Sequence, residues 1–172
     1  AGAGKSQLAE VAVETAVTWV NADTAKASWT HFVVFTKSTL AEQTTPVGSL
    51  LITDTDQSVS SVTFVDKDLD AGGLGGTVSW TAPWDVSQVG YYVVYLATSS
   101  TGAEKWHVQS DVAVGVNQLA MNPDTPLENY THLVVYTKSS LVEQTTPTAL
   151  SLTDVISSVA SAGFVDKDLD AG

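Results

Sequence analysis

The chain contains no cysteine and no arginine. Without cysteine, it has no disulfide bonds, no thiolate chemistry and no cysteine-ligated metal. Without arginine, it lacks the side chain that most often binds phosphate or carboxylate through two parallel hydrogen bonds. The net charge is −12, which argues against nucleic acid as a partner because that binding needs clustered basic residues. No apolar run approaches the roughly 20 residues that cross a bilayer, so we also expect no membrane insertion.

Charged residues make up only 15% of the chain, and valine, serine and threonine are abundant. A β-branched composition without long Ala/Leu/Glu/Lys tracts favours strands. One stretch, Leu8–Val17, has a helix-like pattern, but its counterpart Val108–Asn117 contains Gly115 and poor helix formers, so we predict strand for both. Short apolar runs separated by turn residues predict strands at 11–20, 31–36, 49–53, 59–65, 77–81, 91–97, 105–108, 112–120, 132–137, 149–153 and 159–165.

The sequence repeats itself with a period near 100. The segment THFVVFTKSTLAEQTTP at Thr30–Pro46 returns as THLVVYTKSSLVEQTTP at Thr131–Pro147, an offset of 101. The segment FVDKDLDAG at Phe64–Gly72 returns at Phe164–Gly172, an offset of 100, so one residue is lost between the blocks, within 47–54. A period of this size is that of a small domain, which predicts a tandem array of domains. The chain spans about 1.7 periods. We therefore expect it to be a piece of a longer array or a subunit completed by a neighbour.

Three segments resemble the fibronectin type III-like β-sandwich: GTVSWTAPWD at 76–85, GYYVVYLA at 90–97 and LAMNPDTPLENYTHLVVYTKSS at 119–140. The first resembles the second strand of that family, and the last resembles its Leu–Pro–Thr–Tyr corner. The matching residues are Trp80, Pro83, Leu119, Pro123, Thr125 and Tyr130. The resemblance covers roughly 58–155 and implies an all-β fold of antiparallel β-sandwich modules in tandem.

On this frame, residues 1–55 form the C-terminal part of one repeat, 56–155 a complete repeat, and 156–172 the first strand of the next. An alternative frame takes 11–97 as a permuted six-stranded unit, but Trp80 followed by Pro83 favours the first. The residues expected in the core are Val78, Trp80, Val93, Tyr95, Leu119, Leu133 and Val135, together with Trp19 and Phe35.

Alternating carboxylates suggest a calcium site. Asp66, Asp68 and Asp70 return as Asp166, Asp168 and Asp170, and calcium takes hard oxygen ligands. The EF-hand pattern is not met, because its glycine and glutamate positions hold Ala71 and Thr77. On a straight strand these carboxylates would lie about 6.6 Å apart, so the segment must curl to share an ion, with Asp54 and Asp154 as helpers. The alternative is an edge strand protected by charge. We expect no cofactor unless these carboxylates bind calcium.

Four aromatic residues are not easily buried: Trp29, Trp84, Tyr91 and Trp106. Such residues stack on sugars or anchor protein interfaces; alternatively, they pack under loops or against an adjoining module.

The three histidines lack metal-ligand spacing, and no G-x-S-x-G nucleophile turn occurs. We therefore predict no enzyme.

Two functions remain from the sequence. The first is a structural tandem repeat in an extracellular filament or surface array, whose partners are copies of itself or adjacent repeats. The second is a calcium-dependent adhesion module or a binder of glycan or protein. The unfinished ends favour the first function, because apolar residues at both ends have nothing to cover them. These residues are Phe32, Val34, Leu51 and Ile52 at one end, and Val159 and Phe164 at the other. Strand addition between ends would form a head-to-tail filament; the rival is a compact, permuted monomer.

Overall fold

The computed structural model describes residues 4–167 and divides the chain into two units, Ala1–Asp56 and Gln57–Gly172. Every named element is a strand, no helix occurs in the described part, and all strand pairs are antiparallel. The predicted all-β class is therefore confirmed. The predicted division at residues 55 and 155 stays a prediction.

The first unit contains one hairpin. Strand β1 (His31–Val34) pairs with β2 (Gly48–Leu51), and His31 lies opposite Leu51. Every residue of both strands is exposed. The described part of this unit thus has two paired strands whose side chains are all exposed.

The second unit contains two sheets. Its strands are β3 (Ser60–Phe64), β4 (Gly73–Thr81), β5 (Tyr91–Ala97), β6 (Trp106–His107), β7 (Val112–Ala113), β8 (Gln118–Pro126), β9 (His132–Lys138) and β10 (Thr148–Ser151). One sheet has the order β3-β4-β8; the other has the order β10-β9-β5-β6, with β7 also pairing with β5. The central strands β5 and β9 pair along their whole length, from Tyr91 opposite Lys138 to Ala97 opposite His132.

Apolar residues of both sheets join in one buried cluster. Trp80 and Tyr92 come from different sheets, and their ring centroids lie 5.3 Å apart, edge to face. Around this pair lie Val62, Leu74, Val78, Val94, Leu96, Met121, Leu133 and Val135. Of the predicted core, Val78, Trp80, Val93, Leu133 and Val135 are buried, whereas Tyr95 and Leu119 are partly buried against the clusters.

Two predicted strands are absent, and the predicted strand 112–120 is split into β7 and β8. Residues 11–20 and 159–165 form no strand, and Trp19, expected in the core, is 84% exposed. The reason lies in strand partners: the copies of 11–20 pair with β4 and β5, and the first unit contains no equivalent of those strands. The copy of 159–165 is β3, which pairs with one edge of β4. Strand β8 pairs with the other edge of β4, so β4 has no edge left with which 159–165 can pair.

Strand β4 begins at Gly73, within the glycine-rich segment 71–76 and four residues before the predicted strand at 77–81. The register of β4 against β8 shifts between Leu74 and Gly76. Gly76 has φ of +146°, and a Cβ there would lie 2.6 Å from the Val65 carbonyl oxygen. Glycine therefore lets the backbone bulge where two chain segments approach closely.

Candidate functional site

The two units share side-chain contacts as well as sequence. The Lys37 ammonium forms an ion pair with the Glu10 carboxylate at 3.0 Å, and the Lys138 ammonium forms one with the Asp111 carboxylate at 2.7 Å. The two pairs occupy equivalent positions, because each residue of the second pair is 101 positions after its counterpart in the first. Asp23 and Asp124, related by the same offset, both have φ of 59°. The repeat therefore extends back to Glu10 at an offset of 101, which corrects the offset of 100 that the sequence comparison assigned to 8–17.

The hairpin register locates the residue lost between the repeats. Val34 lies opposite Gly48, and its copy Val135 lies opposite Thr148. The offset is 101 on one strand and 100 on the other, so Val47 is the extra residue. The change falls in the connection between strands, where length variation is tolerated.

The units differ in burial at equivalent positions. Val20, Phe32, Val33 and Val34 are between 38% and 61% exposed. Their copies Met121, Leu133, Val134 and Val135 are at most 3% exposed. Phe32 and Val34 lie on one side of β1 and Val33 on the other; we call the four residues together the open face of the first unit, with an inner side (Phe32 and Val34) and an outer side (Val33). Apolar residues of a paired strand are usually buried, so the exposure of this set departs from the ordinary pattern.

The Asp66–Asp70 segment does curl, as a calcium loop would require. Asp66 is only 5% exposed. Its Oδ1 accepts hydrogen bonds from the backbone N–H groups of Asp68 and Gly75 at 3.1 and 3.0 Å, and its Oδ2 accepts one from Val155 at 3.1 Å. The Asp66 carboxylate thus ties the loop to itself, to β4 and to the segment after β10.

Three carboxylates meet outside this anchor. Oxygen atoms of Asp68, Asp70 and Asp124 lie within 4.8 Å of one another. Asp68 Oδ2 accepts the backbone N–H of Asp124 at 2.6 Å, and Oδ1 accepts that of Asp70 at 3.1 Å. These hydrogen bonds, that of Asp124 first, hold the pKa of Asp68 below its ordinary value. This set differs from the predicted one, since it contains Asp124 and leaves out Asp66.

The other predicted calcium residues are dispersed. Asp154 Oδ2 accepts the backbone N–H of Gly72 at 2.9 Å, and its Oδ1 is buried without a hydrogen-bond partner in the described part of the chain. Asp54 and Asp166 are exposed. Asp168 and Asp170 lie outside the described residues. Asp124 was missed, although the repeated motif N-x-D-T at 21–24 and 122–125 was a visible signal.

The predicted aromatic residues are exposed but do not form one surface. Trp84 is 89% exposed in the turn after β4, and Trp29 lies in the first unit. Tyr91 begins β5, whereas Trp106 lies opposite Leu96 near the other end of that strand. Trp106 instead lines a shallow cavity of about 150 Å³ with Pro126, Glu128 and Tyr130.

A polar network covers the outer face of β5 and β9. The Lys105 ammonium lies 4.3 Å from the Tyr95 ring centroid and 4.0 Å from that of Tyr136. It also pairs with Glu143, which accepts the Tyr95 hydroxyl at 2.7 Å. Burial and the Glu143 hydrogen bond raise the pKa of Tyr95 above its ordinary value.

The first unit repeats this network in part. Lys5 pairs with Glu42 and lies 4.2 Å from the centroid of Phe35. Lys5 therefore corresponds to Lys105 at an offset of 100. Equivalent side-chain contacts thus occur in both units, so the correspondence of the repeats reaches back to residue 5.

No protein-family model, curated protein or solved structure matches this chain. Within residues 4–167, no helix is long and apolar enough to cross a membrane.

Proposed function

We propose that the protein is a structural tandem repeat of fibronectin type III-like β-sandwich modules, part of an extracellular filament or surface array in which repeats complete one another head to tail. One observation carries the proposal: the open face is exposed in the first unit, whereas its copies are buried in the second. The external location rests on the composition, which is acidic and rich in serine and threonine.

The second unit supports the sandwich part of the proposal. Its two sheet orders, β3-β4-β8 and β10-β9-β5-β6, enclose one apolar cluster. Two sheets around one apolar cluster support the layered packing that the resemblance implies. Trp80 lies in that cluster, and Tyr130, the corner tyrosine of the resemblance, packs against it.

The energetics support association of the first unit with other chain segments. Burying a valine or phenylalanine side chain contributes about 1.5–3 kcal/mol, so the open face leaves several kcal/mol of burial unrealised. Its strands also have unpaired edges, which accept an added strand. At the other end, Val159 and Phe164 are 85% and 88% exposed. A contact between unlike ends propagates when it does not close into a ring.

Sedimentation velocity across a range of protein concentrations tests this proposal. The unmodified chain should form assemblies larger than 18.0 kDa, and the double variant Phe32→Asp, Val34→Asp should stay monomeric. The matched control is Leu40→Asp, because Leu40 and its copy Leu141 are both exposed, at 93% and 68%. A monomer at every concentration of the unmodified chain would reject the proposed assembly.

The second candidate is a calcium-dependent adhesion module. The observation that favours it is the meeting of carboxylate oxygens from Asp68, Asp70 and Asp124. If calcium binds there, millimolar calcium should raise the melting temperature by mass action, and Asp124→Asn should remove the rise. Asp23→Asn is the control, since Asp23 has the same backbone geometry in a unit without the loop. No calcium-dependent shift in the unmodified chain would exclude this candidate.

The glycan-binding form of this candidate rests on the exposed aromatic residues. Trp106 is the only one of the four predicted residues that lines the cavity with Glu128 and Tyr130. A glycan array with the unmodified chain and Trp106→Ala tests it. Trp84→Ala is the control, because Trp84 is exposed away from that cavity.

A further inference from the structure

We propose that the open face is covered by a copy of residues 57–100, the segment that carries β3, β4 and β5, supplied by a repeat outside residues 1–172. This inference rests on the proposed function and names the partner. The occupant is therefore a polypeptide of this chain's own repeat, with a defined register.

The pairing of β5 with β9 gives the register. In the second unit, Leu96 lies opposite Leu133 and Val94 lies opposite Val135. At an offset of 101, the same positions on the first unit are Phe32 and Val34. A β5 copy would therefore place its leucine opposite Phe32 and its valine opposite Val34, extending β1 on the edge away from β2.

The inner side of the open face identifies the rest of the occupant. Leu133 and Val135 belong to the buried cluster that includes Val62 of β3 and Val78 and Trp80 of β4. Their copies Phe32 and Val34 have kept apolar side chains of similar or larger size. Such residues are expected where β3 and β4 copies pack on them, and they are a cost on a solvated surface.

The outer side gives an independent indication. Val134 belongs to a second buried cluster with Ala97 and Tyr136, against which Tyr95 and Ala149 pack. Two of these residues, Tyr95 and Ala97, come from β5. Val33, the copy of Val134 in the first unit, is also apolar and is 40% exposed. A β5 copy beside β1 thus accounts for burial on both sides of the strand.

Polar contacts in the second unit also have matching residues in the first. The Thr131 backbone N–H donates to the Ala97 carbonyl, and the Gly90 N–H donates to the Lys138 carbonyl, both at 2.9 Å. Gln144 Nε2 donates to Ser58 Oγ at 2.6 Å. The corresponding first-unit residues are Thr30, Lys37 and Gln43, of identical type. One contact is not retained: Thr148, which donates to the Val59 carbonyl, is replaced by Gly48.

The tail of a second copy is a weaker occupant. Residues 157–167 match 57–67 at an offset of 100 and so resemble β3 alone. In the second unit β3 pairs with β4, and the neighbour of β9 is β5. A β3 copy without a β5 copy would leave the edge of β1 unpaired.

The test extends the full chain at its N-terminus with a second copy of 57–100 and measures amide hydrogen exchange. Exchange at Phe32–Val34 should slow by at least about 100-fold relative to the unextended chain. A control carries Val94→Asp and Leu96→Asp in the added copy only and should show no slowing. The amides of Leu133–Val135 are the internal reference, because the second unit is unchanged in all three proteins.

The outcomes separate this inference from the proposed function. Slow exchange in the extended chain but not in the control supports the occupant. Equal exchange at Phe32–Val34 in the extended and unextended chains overturns it, even if sedimentation shows assembly through the open face. If the unextended chain is monomeric while the extension still slows exchange, the assembly proposal fails and the occupant stands.

Discussion

Trp80 shows how much a single buried side chain contributes to the second unit. It packs on Tyr92 within the shared cluster, yet its Nε1 is buried without a hydrogen-bond partner among the described residues. The ring therefore contributes through apolar contact, while its N–H carries a desolvation cost.

We expect Trp80→Ala to lower the free energy of unfolding by about 3–5 kcal/mol, the usual effect of truncating a buried aromatic residue. Trp80→Phe should cost less, because it keeps the ring contact with Tyr92 and removes the unpaired N–H. Urea unfolding measures both. Trp84→Ala is the control and should change stability by less than about 0.5 kcal/mol. Equal effects of the alanine and phenylalanine variants would contradict the packing account.

Asp66 is a second residue whose role follows from its contacts. Asp66→Ala should destabilise the protein by at least about 1–3 kcal/mol, since three backbone N–H groups lose their acceptor. Asp70→Ala, in the same loop but exposed, should change stability little. Thermal unfolding of the two variants gives the comparison, and similar losses for both would show that Asp66 is not the anchor.

Asp68 predicts a pH dependence of stability. Its pKa is lowered in the folded state, so the unfolded chain takes up the proton at higher pH. The stabilisation is therefore present above the ordinary aspartate pKa and is lost as pH falls through the folded value. The melting-temperature difference between the unmodified chain and Asp68→Asn should be present at pH 7 and shrink in acid. A difference that grows on acidification would have the wrong sign.

The burial of Trp80 and the exposure of Trp84 could be predicted from the local sequence pattern alone. The repeated N-x-D-T motif marks Asp124, but its contact with Asp68 could not be predicted, because the two residues are 56 positions apart and only the pairing of β4 with β8 brings them together. The role of Asp66 was hidden for the same reason. A carboxylate in an acidic run gives no sign that backbone N–H groups from two other segments surround it.

At the scale of elements, β5 at Tyr91–Ala97 agrees with its predicted bounds, because a continuous β-branched and aromatic run is buried on both faces. Residues 11–20 are also predicted as a strand but form none. Strand formation depends on a partner, and a sequence window contains no information about whether the partner is present. The prediction of where β4 begins failed for a different reason, since a bulge lets glycine remain in a strand.

The bulge in β4 gives a prediction at this scale. Gly76→Ala should be clearly more destabilising than Gly72→Ala. Both positions have positive φ, so both variants carry backbone strain. Only at Gly76 would the new Cβ also meet another atom within 4 Å, the Val65 carbonyl oxygen first. Thermal unfolding ranks the two variants, and equal losses would show that close approach adds nothing to the φ strain.

At the scale of the whole molecule, the repeat could be predicted from two matched segments, and the exposure of Phe32, Val34 and Leu51 agrees with the expected uncovered end. Ile52 differs, because it is partly buried. What the sequence could not locate was the reach of the repeat back to residue 5. That match depends on backbone geometry and ion pairs, which tolerate changes such as Glu10 to Asp111.

The difference in packing between the units predicts an order of proteolysis. Trypsin has only lysine sites, because arginine is absent. Cleavage at Lys26 and Lys37 should precede cleavage at Lys105 and Lys138, since a segment with few buried contacts opens locally at low free energy. Mass spectrometry of a time course measures the order. Early loss of the second unit would contradict the assigned difference in stability.

The near-identity of the repeats also has a consequence during synthesis. In the proposed array, repeats would leave the ribosome one after another, and each nascent β9-type strand would meet more than one β5-type strand. Pairing with the wrong copy traps the chain in a swapped arrangement, a characteristic failure of tandem domains. The extra Val47 and the replacement of Thr148 by Gly48 make the two hairpins unequal, and in the proposed array such differences would favour the correct pairing over a swapped one.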